Sequence, residues 1–286
     1  MNVERLRVSL DDGRALDVAA GGASDGAPFV FHHGTPGAAN LFRPFLQEVL
    51  ARGLRYVAYS RPGYGDSTRR SGRTVADCVA DTVAVLEHLG NDRFYTAGWS
   101  GGAPHALACA ALAPDRVLAA ASIAGPAPVG ADGLDWLGGM GEENVEEFGA
   151  AMAGPDELRS YLEKVGPAFA SVTGEDIVAA LGDLVGDVDK AALTGELGAF
   201  LAGNIREWFD DDLAFVRDWG FDEGALAVPV TVWQGAQDRM VPFSHGEWLA
   251  AHASVRARLL PEHGHLSLAV ASFPMILDDL VASGAG

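Results

Sequence analysis

A doubly wound, mostly parallel α/β sheet is the fold the sequence predicts, and three observations lead to it. Short apolar runs at 28–32, 54–59, 93–99, 117–123, 228–234 and 255–260 are hydrophobic at successive positions rather than alternate ones, as strands covered on both faces are. Helix-like segments at 40–52, 75–89, 102–113, 242–252 and 266–281 fall between them, and strand alternating with helix is the pattern of a parallel sheet joined by crossovers. The chain opens differently: 5–10 and 14–19 flank Asp11-Asp12-Gly13, a turn triplet between extended segments that predicts a β-hairpin.

The alternation breaks at 127–224, where helix-prone stretches mix with Gly, Pro and acidic residues and no β-like run occurs. The expected organisation is a core of 1–126 and 225–286 with a helical insertion at 127–224. The insertion holds 22 acidic and five basic residues, so it carries 17 of the 19 net negative charges. This acidity is expected to form a solvated helical surface. It argues against nucleic acid as a partner, because phosphate binding requires clustered Lys and Arg.

With 286 residues and 49% hydrophobic content, the chain suits one large α/β domain carrying an insertion. Segment 1–10 has no basic stretch leading into a long apolar run, and no run approaches the roughly 18 apolar residues of a membrane-spanning helix. A cytoplasmic protein without a membrane partner is expected, its oligomeric state left open. Cys78 and Cys109 sit in separate apolar stretches, a spacing of buried free thiols rather than of a metal site or a disulfide.

The chemistry-bearing residues fall at the ends of expected strands. Segment 93–99 leads into Gly98-Trp99-Ser100-Gly101-Gly102 and then into a small-residue helix. Flanking glycines let a serine adopt a strained tight turn, and the following helix N-terminus favours developing negative charge. Ser100 is therefore the candidate nucleophile. Upstream, His32-His33-Gly34-Thr35-Pro36-Gly37 ends the strand at 28–32. Pro36 has no N–H, which leaves Thr35 and Gly101 as the expected backbone donors to an oxyanion. One of His32 and His33 is expected to tie this loop down by hydrogen bonds. Asp238 follows the strand at 228–234, and His263 and His265 both follow the strand at 255–260. His265 immediately precedes the last helix and is favoured as general base, with Asp238 holding its tautomer. Trp136, Met140, Phe148, Phe169, Trp208 and Phe215 fall in the insertion, as helical core or as cavity lining.

Five motifs in register resemble the α/β-hydrolase fold superfamily over essentially the whole chain. They are His33-Gly34-Thr35-Pro36-Gly37, Ser60-Arg61-Pro62-Gly63-Tyr64-Gly65-Asp66-Ser67, Gly98-Trp99-Ser100-Gly101-Gly102, Gly235-Ala236-Gln237-Asp238 with Val241-Pro242, and Gly264-His265-Leu266-Ser267. The resemblance implies an eight-stranded, mostly parallel sheet with a helical lid after the sixth strand, a structural role for 61–67, and no cofactor or metal. It further implies a serine esterase acting on a small-molecule acyl substrate. Members with Asp at the elbow hydrolyse haloalkanes or epoxides, and Ser100 disfavours both. Two alternatives remain open: an aminopeptidase resembling proline iminopeptidases, whose lids use acids to hold a free amine, and a ligand-binding receptor or carrier with little turnover.

Overall fold

The computed structural model describes residues 3–169, 171–173, 175–176 and 205–285. It contains an eight-stranded sheet in the order β1-β2-β4-β3-β5-β6-β7-β8. The opening hairpin is β1 (Val3–Ser9) with β2 (Ala15–Gly21), antiparallel to each other. At its turn Gly13 has φ of 86° and Asp12 accepts the Arg14 N–H at 3.0 Å. β1 is an edge strand, and its outward Arg5 and Arg7 discourage pairing with another chain.

From β3 (Ala27–His32) onward every pairing but one is parallel: β4 (Leu54–Tyr59), β5 (Phe94–Trp99), β6 (Val117–Ile123), β7 (Val230–Gly235) and β8 (Arg256–Leu260) all run with β3, while β2 meets β4 antiparallel. Five helices supply the layers: α1 (Arg43–Ala51), α2 (Cys78–His88), α3 (Ala103–Leu112), α7 (Phe243–His252) and α8 (His265–Gly284). These strands and helices match the expected segments within a few residues. The apolar runs are buried on both faces because each face has its own core. Phe29, Phe31 and Tyr56 pack with Phe45 of α1 and Phe273 of α8, whose rings stack at 3.7 Å between centroids. Val30, Val57 and Tyr59 pack on the other face with Leu86 of α2 and Leu107 of α3. Alternate residues of one strand thus feed opposite cores.

Helix α8 has 20 residues and a mean hydropathy of 1.5, which is enough by length and composition to cross a membrane. Here it is a core helix: Leu268, Phe273, Ile276 and Leu277 face the sheet, and Asp278 and Asp279 pair with Arg52 and Arg256. Cys78 and Cys109 are buried and free.

Between β6 and β7 the chain leaves the sheet and forms α4 (Glu142–Ala153), α5 (Pro155–Phe169) and α6 (Ile205–Phe215). Leu158 and Leu162 of α5 pack with Trp208 and Leu213 of α6 and Ala151 of α4 in a small core of their own. Residues 177–204 of the expected insertion lie outside the described residues.

The strand order positions the site. From β3 the chain crosses to β4 on one side, and from β4 it returns past β3 to β5 on the other. The connections after β3 and β5 therefore diverge and leave a crevice at the carboxyl ends of these strands, where ligands of open α/β sheets bind. Thr35 and Ser100 both follow these two strand ends.

Candidate active site

Ser100 follows the last residue of β5 and has φ of 55°, a left-handed conformation that a residue with a side chain rarely adopts. Two glycines make this turn possible. A Cβ at Gly98 would collide with the Gly102 carbonyl, and one at Gly102 would collide with the His32 carbonyl. The chain can thus fold sharply back from β5 and enter α3 while lying against the end of β3. A Cβ at Gly34 would stand 3.5 Å from that of Ser100, and one at Gly101 would overlap the Thr35 hydroxyl. The two expected donor segments, at Thr35 and at Gly101, are therefore packed side by side next to Ser100.

Asp238 and His265 meet as expected. His265 Nδ1–H donates to Asp238 Oδ2 at 2.8 Å. The other carboxylate oxygen accepts the N–H groups of Met240 and Val241, each at 2.9 Å, and Gln234 Nε2 approaches Oδ2 at 3.3 Å. These donors fix the buried carboxylate, which in turn places the proton on Nδ1. Nε2 is left as an acceptor, buried and without a hydrogen bond, so none joins it to Ser100. Such contacts often form only in the substrate complex. The imidazole is held by the Trp99 ring at 5.2 Å and by the Trp99 indole N–H on its own carbonyl at 3.2 Å. Among the described residues the hydrogen bond to Asp238 comes from His265 and not from His263, whose Nδ1 is buried without a hydrogen-bond partner.

His33 is the loop-tying histidine. Its Nδ1–H donates to the Gly34 carbonyl at 2.8 Å and its Nε2 accepts the Arg61 N–H at 3.2 Å. Burial and the neighbouring Arg61 push its pKa well below the usual value, so it stays neutral and keeps both bonds. His105 and His245 are fully buried packing residues; His245 accepts the Ala127 N–H at 3.1 Å and donates to the Trp136 carbonyl at 2.9 Å.

The acidic run Asp210-Asp211-Asp212 on α6 departs from expectation. A solvated surface was expected for the acids of this region, yet all three are buried. Asp210 accepts from Arg69 Nε and Nη2, at 2.6 and 2.9 Å. Asp211 is fully buried between Arg61 and Arg73, which donate at 2.5 and 2.6 Å, and it also accepts Tyr64 Oη–H at 3.0 Å and Thr35 Oγ1–H at 2.5 Å. Burial alone would raise its pKa, but the two guanidinium groups outweigh that and hold it well below the carboxylate range. Arg61 also donates to the carbonyls of His33 and Gly34. A charged pin from α6 therefore fastens the loop that carries Thr35. The signal was present in the sequence: three acids set between Trp208-Phe209 and Leu213-Ala214-Phe215 are flanked by residues that water does not surround.

Asp212 accepts no hydrogen bond from these arginines. A cavity of about 440 Å³ opens over Ser100, Thr35 and Gly101, and Asp212 and Glu147 are among its walls. Trp136, Met140, Phe148, Phe169, Trp208 and Phe215 all line it, so the aromatic residues of the inserted helices serve as cavity wall as well as core. Glu147 accepts the Trp208 indole N–H at 2.8 Å. Desolvation lifts Glu147 to about 7, and desolvation with Glu147 and Asp211 alongside lifts Asp212 well above its ordinary value. The folded state therefore binds more protons here than the unfolded chain does. Stability falls as pH rises from the ordinary glutamate value of 4.5 towards about 7. Glu147→Gln, which keeps the oxygen facing Trp208, is expected to stabilise the protein by about 1–2 kcal/mol at pH 8 and to change little at pH 4. Thermal unfolding at the two pH values checks this; equal melting shifts at both would refute it.

A serine on a glycine-flanked turn at a sheet switch point, a buried Asp–His pair after the last two strands and helices inserted between β6 and β7 define the α/β-hydrolase class. The chain belongs to that family: the model for the alpha/beta hydrolase fold matches residues 27–271. It is 28% identical over 279 residues to a non-heme chloroperoxidase of Streptomyces lividans, covering 96% of this chain and 98% of that one. Among solved structures it resembles a bromoperoxidase from Bacillus anthracis with a TM-score of 0.72 and 17% identity, covering 98% of this chain and all (100%) of that one. An esterase from a Rhodococcus species superposes with a TM-score of 0.67 and 22% identity, covering 99% of each chain. The protein is an enzyme of the α/β-hydrolase fold.

Proposed function

We propose that the protein is a serine hydrolase that cleaves a small carboxylic ester or related acyl substrate through an acyl-enzyme on Ser100. The observation that carries this reading is the Asp238–His265 pair, whose Nε2 is buried without a hydrogen bond while its ring packs on Trp99, the residue before a serine held at positive φ. Ser100 Oγ attacks the carbonyl carbon as His265 Nε2 takes its proton, and Asp238 stabilises the imidazolium that results. The N–H groups of Thr35 and Gly101 receive the negative charge that develops on the carbonyl oxygen. The tetrahedral intermediate collapses, the alcohol leaves with the proton from Nε2, and a water activated by the same nitrogen releases the acid. Segment 127–224 acts as the lid, since its helices roof the cavity and exclude water from the acyl-enzyme. A cytoplasmic location belongs to this reading, and the two free thiols support it.

Mixing the enzyme with p-nitrophenyl acetate is expected to release a burst of one p-nitrophenol per protein, with a trapped acetyl group located on Ser100 by mass spectrometry. Turnover with no burst and no modified Ser100, even after rapid acid quenching, would count against the acyl-enzyme. Absence of turnover with a broad ester panel and a fluorophosphonate probe would favour a receptor.

A further inference from the structure

Two buried thiols take no part in the proposed reaction. Cys78 opens α2 and Cys109 lies in α3, and both are free. The packing of α2 on α3 brings them to one spot. Cys78 Sγ–H donates to the His105 carbonyl at 3.6 Å. Cys109 sits one turn further along α3, where a helical side chain leans back over the preceding turn, here that of His105. From the α2 side Thr82, one turn after Cys78, donates to the Cys78 carbonyl at 2.9 Å and accepts from Cys109 Sγ at 3.8 Å. The two sulfurs therefore converge where the helices touch. His32, the last residue of β3, stands beside them with Nε2 at 3.8 Å from Cys109 Sγ.

Their surroundings make the two thiols unequal. Hydrogen bonding with Cys78, reinforced by His32, lowers the Cys109 thiol in spite of its burial, while burial pushes the Cys78 thiol up. Cys109 is thus the sulfur that ionises, and thiolate is the form that reacts. Among the described residues no group of three or more His, Cys, Asp and Glu side chains is placed to hold a metal ion, which leaves the chemistry of a dithiol. A small cavity of about 10 Å³ borders Cys78 and His105, and its walls include Arg70 and Asp77, which are partly exposed. Space of that size admits a water-sized molecule, so it marks the side from which a small oxidant reaches the sulfurs.

We propose that Cys78 and Cys109 form a redox modification site, a dithiol that hydrogen peroxide converts reversibly to a disulfide joining α2 to α3. The Cys109 thiolate attacks one peroxide oxygen; an S–O bond forms, the O–O bond breaks, and the departing hydroxide takes up a proton as water. The Cys78 sulfur then attacks the Cys109 sulfur. An S–S bond replaces the S–O bond, and the sulfenic hydroxyl leaves with the Cys78 proton as a second water. The sulfurs give up two electrons and two protons in all, and one peroxide is reduced to two waters. A resolving thiol at hand halts the oxidation at this reversible stage, before sulfinic acid. The site does not depend on the hydrolase reading, since neither cysteine lines the cavity over Ser100.

Mass spectrometry of the folded, full-length protein tests the site. After exposure to hydrogen peroxide and removal of the excess with catalase, the protein would be unfolded in the presence of an alkylating agent. The chain has two cysteines, so the expected product has lost two hydrogens and takes up no alkyl group. It should yield a peptide pair linked through Cys78 and Cys109 and regain both thiols with dithiothreitol. Cys78→Ser should stop at a Cys109 sulfenic acid that dimedone traps. In Cys109→Ser the remaining Cys78 thiol should react at least about tenfold more slowly than Cys109 does in Cys78→Ser, with circular dichroism confirming that both variants are folded. Thiols that stay alkylatable in the unaltered protein would overturn the site. So would oxidation of Cys109 to sulfinic acid with Cys78 left free, because the sulfurs would then be out of each other's reach. Equal rates in the two variants would overturn the role of Cys109 as the attacking sulfur.

Discussion

Ser100→Ala is expected to lower kcat/KM for a p-nitrophenyl ester by about 10⁴–10⁶-fold while leaving the melting temperature within a few degrees of the parent. On the proposed mechanism the three side chains act as one device. Without the hydroxyl, the imidazole has no proton to accept and the Thr35 and Gly101 donors act only on a water attack. His265→Ala should therefore cost about as much as Ser100→Ala, and the double variant should be little worse than either, because removing a second part of a broken device removes nothing further. Asp238→Asn should fall between the parent and these variants. Its amide can present an N–H to Nδ1, which would move the imidazole proton to Nε2 and block its role as base. Additive losses across the three sites would mean that the residues do not act on one proton transfer. The stability expectation is separate: alanine at 100 retains the strained φ, so the turn neither gains nor loses much.

The placement of these three candidate residues was legible in the sequence because each follows a strand end, and strand ends are legible from apolar runs. The hydrophobic alternation of Phe29-Val30-Phe31 between two cores is a local property, and so is the Gly98 to Gly102 turn. The apolar neighbours of Asp210 and Asp211 hinted at their burial, but their pairing was not legible, because the partners come from a loop 140 or so residues away in sequence: Arg69 meets Asp210 across 141 positions and Arg73 meets Asp211 across 138. A charge count cannot distinguish an acid in water from an acid paired in the interior. The aromatic residues of the insertion posed the same difficulty. Trp208 packs with Leu158 and Leu162 on one side and borders the cavity on the other, and helical spacing alone describes both roles equally well.

The second large effect is expected at Asp211. Asp211→Ala leaves Arg61 and Arg73 buried without their counter-charge, a change that costs about 3–5 kcal/mol, so unfolding should occur at a temperature lower by about 10 °C. It also frees the Thr35 hydroxyl from its 2.5 Å bond and loosens the link from α6 to the loop that carries Thr35. On the proposed mechanism Thr35 N–H meets charge that exists only in the transition state, so kcat should fall by about 10²-fold with KM changing less. Acid should remove the same contribution: a carboxylate held below its ordinary value stabilises the fold fully above about pH 4 and ceases to do so as pH falls through its own lower pKa. The parent should thus lose stability on acidification more steeply than Asp211→Asn does. A further variant separates charge from anchoring. Replacing Asp211 with Leu and both Arg61 and Arg73 with Met removes the three charges of this cluster at once, and such replacements commonly restore much of the stability that a single deletion loses. Activity should not return with it, since Arg61 also holds the His33 and Gly34 carbonyls and Thr35 would have lost its pin. Recovery of kcat together with melting temperature would instead mean that the network serves the fold alone.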